Sequence, residues 1–95
     1  MIVEVKFVGS YRNFVSKGRL GLEFGGQSVD LDDVARTIAK KFPKLKRLLV
    51  DSETKTFKSN LLVLVNGKEI GVLDGLQTAV KDKDEVVFVP VVHGG

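Results

Sequence analysis

The residues best placed for chemistry are the last two, Gly94 and Gly95. A chain-terminal carboxylate is a poor electrophile, and conversion to an acyl-adenylate supplies the leaving group it lacks. Glycine suits such a terminus. It has no Cβ, so the walls of an enzyme can close on the backbone, and unusual dihedrals cost little. Terminal residues outside regular structure also move freely until bound. With glycine usage of about 7%, a terminal doublet arises by chance in roughly 0.5% of chains. Its meaning therefore rests on its setting, a few residues beyond a final strand.

The rest of the inventory offers no catalytic set. His93 is the one histidine, and a lone histidine builds neither a metal site nor a triad. It is expected to be solvated and available for partner recognition. There is no cysteine, which excludes disulfides, thiolate metal sites, iron–sulfur clusters and thiol nucleophiles. Asp30, Asp32 and Asp33 fit the start of a helix. Gly21, Gly25 and Gly26 form no phosphate-loop pattern, because no Lys-Ser or Lys-Thr follows at the required spacing. No nucleophile, base and orienting group can be assembled, so the chain is not expected to be an enzyme.

The chain has 95 residues, enough for one domain. Its 43% apolar residues are spread along the length and can supply a core. Fifteen basic against twelve acidic residues leave a net charge of +3. The densest basic run, residues 40–47, sits at the end of an expected helix, where cations are favoured by the dipole. No stripe of interleaved basic and aromatic residues points to nucleic acid. Glu4 and Lys6 interrupt any apolar leader, and no run approaches the ~20 apolar residues that span a bilayer. A soluble, cytoplasmic protein is expected, with no membrane or nucleic-acid partner.

The elements that must hold the terminus read as follows. Val3, Val5 and Phe7 alternate with Glu4 and Lys6, a half-buried strand. After a loop, Leu20, Leu22 and Phe24 alternate as the return arm of a loose hairpin, ended by Gly25-Gly26. Asp30 caps a helix running to about Phe42, with Leu31, Val34, Ala35, Ile38, Ala39 and Phe42 on one apolar stripe. Pro43 stops it. Leu45, Leu48 and Leu49 suggest a short further turn, and residues 51–60 a polar loop. Residues 61–65 are the strongest strand signal. Asn66-Gly67 is a tight turn needing positive φ, and residues 68–72 a short edge strand. Residues 85–89 form the last strand, and Pro90 ends regular pairing or holds an edge. Residues 1–90 are expected as the domain and 91–95 as a flexible tail.

Hairpin, helix, strand, short strand and final strand is an α+β order. One amphipathic helix buries its stripe against one sheet face. The expected architecture is a β-grasp, a ubiquitin-like mixed sheet of four to five strands packed on one main helix.

From Leu61 onward the chain resembles the MoaD/ThiS family of ubiquitin-like sulfur carriers, which is related to small archaeal modifier proteins. The resemblance rests on Val65-Asn66-Gly67-Lys68, Leu73-Asp74-Gly75-Leu76, Lys81-Asp82-Lys83-Asp84-Glu85-Val86, Pro90 and the terminal Gly94-Gly95. Over the first sixty residues it is architectural. It implies a terminal glycine that is adenylated by an activating enzyme using ATP and then thiocarboxylated. The sulfur would serve molybdopterin, thiamine or tRNA thiolation. No cofactor is implied on the chain itself. A molybdopterin synthase large subunit, or lysines of target proteins joined through Gly95, are the other partners implied. Molybdopterin-synthase small subunits usually carry a double proline before the tail. Here Val91 follows Pro90, which weakens that branch.

Residues 61–65 and 86–89 are apolar at every position, yet only one sheet face can meet the helix. The other face is a candidate partner surface. Spacing to the Asn66-Gly67 turn and to the tail suggests that Leu62, Leu64, Val87 and Val89 point outward, while sequence alone leaves the parity open. Pro90 and His93 extend this candidate surface toward the terminus. Two other readings compete. One is a non-catalytic interaction domain that reuses the fold for binding alone. The other is an RNA-binding module, disfavoured by the modest charge.

Overall fold

A computed structural model describes residues 1–91. Strand β1 (Ile2–Phe7) buries Val3, Val5 and Phe7 and turns Ile2 and Glu4 to solvent, the alternation expected of a strand covered on one face. It pairs antiparallel with β2 (Arg19–Glu23). The connection between them is not a loose tip. It forms two short 3₁₀ segments, Gly9–Phe14 and Ser16–Gly18; Tyr11 of the first and Val15, the extended residue between them, are buried in the core. The burial of these two side chains fixes the segment, and their irregular spacing hides it from periodicity.

A three-residue strand β3 (Ser28–Asp30) leads into helix α1 (Leu31–Lys41). Asp30 is the N-cap: its Oδ1 accepts from the Asp33 backbone N–H at 3.0 Å. Leu31, Val34, Ala35 and Ile38 are buried, whereas Ala39 lies on the helix flank and Phe42 is the half-buried C-cap. Pro43 ends α1 as expected and also opens a second helix, α2 (Pro43–Leu49). Proline is tolerated there because the first-turn N–H has no intrahelical partner. Leu45 and Leu49 of α2 are buried beside the first helix.

Strand β4 (Leu61–Val65) turns at Asn66-Gly67, with φ of 51° and 84°, into β5 (Lys68–Glu69). Positive φ at both central residues matches the twist of the flanking strands. The edge strand expected over residues 68–72 shortens to two residues. From Ile70–Val72 the chain coils into a 3₁₀ turn, held where the Glu69 side chain accepts from the Gly71 N–H at 2.7 Å. A further 3₁₀ turn, Gly75–Gln77, leads to β6 (Ala79–Lys81) and then β7 (Glu85–Pro90).

The main sheet has the order β2-β1-β7-β4-β5. β1 and β7 are parallel and the other pairs antiparallel. A second, two-stranded sheet pairs β3 with β6, which the sequence reading did not anticipate. The core lies between the main sheet and α1. Phe88 is fully buried there, stacked on Phe7 with ring centroids 5.4 Å apart and edge-on to Phe57 at 5.7 Å. Each such burial contributes about 1.5–3 kcal/mol. This is the mixed-sheet β-grasp. Among the described residues no helix is long and apolar enough to cross a membrane.

Candidate functional site: the outward sheet face and the strand that leads to the terminus

β4 and β7 are neighbours in the middle of the sheet. Val63 and Val65 of β4, with Val86 and Phe88 of β7, are buried against the helix side. Their strand neighbours Leu62, Leu64, Val87 and Val89 alternate with them and therefore face away from α1. The antiparallel register sets Leu62 opposite Val89 and Leu64 opposite Val87. Four aliphatic side chains thus form two cross-strand pairs on one surface, each half-buried by its neighbours alone. Directly opposed apolar pairs contribute about 0.2–1 kcal/mol to a sheet. That is a small return for leaving a contiguous apolar surface in water.

Charged residues frame the patch. Lys6 stands opposite Val87 in the parallel β1–β7 register, and its ammonium meets Glu85 at 3.0 Å. Both partners are about a third or more exposed, so the pair orients more than it stabilises. Glu69 lies opposite Leu64 on the other side. Val8, 42% exposed, adds apolar surface where β1 ends. Sequence reasoning left Val8 out because it belongs to a different strand, and only the parallel β1–β7 pairing brings it near.

Two motifs that carried the family resemblance meet next to this face. The Asn66 side chain donates from Nδ2 to Asp84 Oδ1 at 2.9 Å and accepts from the Glu85 N–H at 2.9 Å. Asp84 Oδ2 also accepts from the Lys81 N–H at 2.8 Å. The β4–β5 turn is thereby tied to the β6–β7 turn, which fixes the start of β7. In sequence Asn66-Gly67 reads as a turn, and both stretches carry the family resemblance. Their contact spans eighteen residues and has no local signal.

Pro90 sits differently from the four aliphatic residues. It shares the parity of Val86 and Phe88, pairs with Leu61, and lies against Gly9. Pairing does not stop at it: the Val91 N–H donates to the Asn60 carbonyl at 2.8 Å. A proline is tolerated in this central strand because its missing N–H would point toward β1. β1 has already made its last bond, from the Val8 N–H to the Phe88 carbonyl, and turned away at Gly9. His93, Gly94 and Gly95 lie outside the described residues.

The three aspartates at the start of α1 act locally. The Asp30 carboxylate beside Asp33 pushes the Asp33 carboxyl up from its ordinary value, helped by burial and by Asp32, while Arg36 opposes the shift. Four of the five cations of the 40–47 run divide between the last turns of the two helices, Lys40 and Lys41 on α1, Lys46 and Arg47 on α2, whereas Lys44 stands in the first turn of α2.

The Urm1 (ubiquitin related modifier) family matches residues 2–95 of the chain. Small archaeal modifier protein 3 of Haloferax volcanii is 32% identical over 96 residues, covering all of both chains. The solution structure of Urm1 from Trypanosoma brucei is similar at 27% identity and a TM-score of 0.80, with 99% of this chain and 95% of that one covered. In the crystal structure of the Amycolatopsis orientalis BexX/CysO complex, a chain 25% identical superposes with a TM-score of 0.74, covering 98% and 99%.

Proposed function

From the premise that the chain belongs to the Urm1 family of ubiquitin-related modifiers, we propose that it is a sulfur carrier activated at its own terminal carboxylate. In this reading a carboxylate oxygen of Gly95 attacks the α-phosphorus of ATP on an activating enzyme. Pyrophosphate leaves and an acyl-adenylate forms. Hydrosulfide then attacks the carbonyl carbon, AMP departs with the bonding electrons, a proton is lost, and Gly95 ends in a thiocarboxylate. That group gives its sulfur to a cofactor such as molybdopterin or to tRNA. The chain supplies no catalytic side chain, and ATP belongs to the partner.

One observation carries the proposal. The strand that presents Val87 and Val89 outward is the strand that leads to the glycine terminus. An enzyme gripping the β4–β7 face is thereby set in register with the carboxylate it must activate. Residues 91–95 reach at most roughly 17 Å from the end of β7, and the narrow Gly94-Gly95 end suits entry into an adenylating site. The CysO chain in a complex with BexX supports the use of this fold as a docking module.

Conjugation is the second reading, favoured by the full-length identity with a small archaeal modifier protein. A lysine amine attacking the activated carbonyl in place of sulfur would form an isopeptide bond through Gly95. One experiment separates the readings. The protein is incubated with ATP, sulfide and the host's activating enzyme, and its intact mass is taken. A shift equal to one sulfur-for-oxygen exchange supports the carrier, and higher-mass lysine adducts in lysate support the modifier. With neither, and with a variant lacking Gly94-Gly95 still active in the cell, the chain is a binding domain only.

A further inference from the structure

On the helix side of the molecule, away from the β4–β7 face, a cavity of about 330 Å³ opens between α1, α2 and the loop before β4. Its floor exists because α1 carries small side chains there. Ala35 and Ala39, one turn apart, keep the helix surface low. Val50, Phe57 and Leu76 rise around them.

The loop that forms one wall is held in shape. The Asp51 carboxylate accepts from the Glu53 and Thr54 N–H groups at 2.8 and 3.2 Å. The Asp51 N–H bonds to the Thr56 carbonyl at 2.8 Å, and the Lys55 N–H returns to the Asp51 carbonyl at 2.9 Å. Val50 and Phe57 close the loop with an isolated bridge. Lys55 takes a left-handed backbone, φ 61°, inside this closed turn, which places its side chain on the cavity lining.

The rim is cationic. Arg36, Lys46 and Lys55 line the opening against one carboxylate, Asp32, and that carboxylate is bridged by Arg36 at 3.0 Å. Among the described residues no carboxylate lies within ion-pairing distance of Lys46 or Lys55. A broader depression of about 600 Å³ adjoins across Arg36, Ala39 and Lys46; Lys40 and the carboxylate of Asp33 line it, so that across the two together four cations face two carboxylates, Asp32 and Asp33.

We infer that this cavity and its neighbour form a docking site for an acidic peptide segment of another protein, carrying one bulky apolar side chain. The apolar floor has the volume for a single such anchor, at the small end of ordinary ligand pockets. Lys46, Lys55 and Lys40 face the carboxylates that would flank it. Charge complementarity selects the peptide over other apolar occupants. A nucleic-acid strand is disfavoured because stacking readers need exposed aromatic rings in succession. Here the two aromatic rings, Phe57 on the cavity and Phe24 on the neighbouring depression, are both half-buried, and Phe57 is packed edge-on against Phe88. The site goes beyond the terminal chemistry and is independent of it. Since the cavity lies on the helix side of the main sheet and the β4–β7 patch on its other face, both surfaces are open to partners at once.

The test is a ¹H–¹⁵N titration of the full chain with a heptapeptide of aspartates and glutamates around one central phenylalanine. Saturable shifts are expected at Ala35, Ala39, Val50 and Phe57. Ala39→Leu, which fills the floor, and Lys46→Glu, which reverses the rim, should each weaken binding about tenfold or more while leaving thermal unfolding close to that of the parent. Leu64→Asp on the opposite face should leave peptide binding unchanged. The inference is overturned by an equal response to the matched peptide with central alanine, by shifts on the sheet face instead, by equal displacement with a single-stranded oligonucleotide, or by no shifts up to millimolar peptide.

Discussion

Gly9 lies directly against Pro90: a Cβ added at Gly9 would sit 3.1 Å from the proline Cγ. Gly9 also has a φ of +65°, a conformation that costs a side-chain-bearing residue about 1–2 kcal/mol. The contact joins the turn after β1 to the end of the strand that leads to the terminus. Gly9→Ala should therefore lower unfolding stability by about 1–2 kcal/mol in urea titration, through strain that the proline ring cannot relieve by rotating. An unchanged midpoint would show that the segment tolerates a shift at Pro90.

Leu64 and Val87 face each other across β4 and β7 on the outward side. Leu64→Asp is expected to cost about 1 kcal/mol or less in stability, because the position borders water and only a cross-strand contact is lost. Binding to the activating enzyme should weaken by about 2 kcal/mol or more if the pair is a central anchor of that interface. Calorimetry reads the binding and circular dichroism the fold. A variant that unfolds would place Leu64 in the core and remove the patch.

Phe88, one residue from Val87, should behave in the opposite way. It is fully buried between Phe7 and Phe57. Phe88→Ala should cost about 3–5 kcal/mol through lost burial and the void left behind. A cost near that of Leu64→Asp, measured by denaturant titration, would contradict the alternation of faces along β7.

The contrast between these two neighbours shows what the sequence could reveal. β1, α1, β4 and β7 were legible because each repeats an apolar pattern or carries a local stop or cap: Asp30 before α1, Pro43 after it, Asn66-Gly67 after β4. The orientation of β4 and β7 was not fixed by pattern, because every position from Leu61 to Val65 is apolar and a period-2 signal vanishes. β3 and β6 escaped because three-residue strands gain their partners from each other across about fifty residues. Tyr11 escaped because 3₁₀ segments follow no 3.6- or 2-residue period, and Val15 because it is a single extended residue between two of them. Ala39 read as part of the core stripe. Its true place on the flank of α1 depends on where α2 packs, which no local rule supplies.

Asp30 holds the first turn of α1 and also sets the acidity of Asp33. Asp30→Ala should destabilise the protein by about 1 kcal/mol through loss of the cap. It should also bring the Asp33 carboxyl back down toward its ordinary value, since the Asp30 charge is the largest cause of its rise. Carboxyl-detected NMR titration reads the second effect separately from the first. An Asp33 titration that stays raised in the variant would assign the shift to burial and Asp32 instead.

Asp51 gives the loop before β4 its pH dependence. Backbone N–H donation from Glu53 and then Thr54, with Lys58 nearby, holds its carboxyl below the ordinary value, and burial opposes this only in part. In the unfolded chain the same carboxyl takes its proton at the ordinary carboxylate value, about 3.9. The charged form is therefore favoured by folding. That stabilisation is complete above the unfolded value and is lost as pH falls through the lower folded value. Asp51→Asn keeps an acceptor oxygen but no charge. The stability gap between parent and variant should be largest near neutral pH and shrink as acid protonates Asp51. Amide hydrogen exchange at Glu53 and Thr54 should accelerate in the parent over the same range, after correction for intrinsic exchange. A gap that widens on acidification would show that the loop is held by something other than this carboxylate.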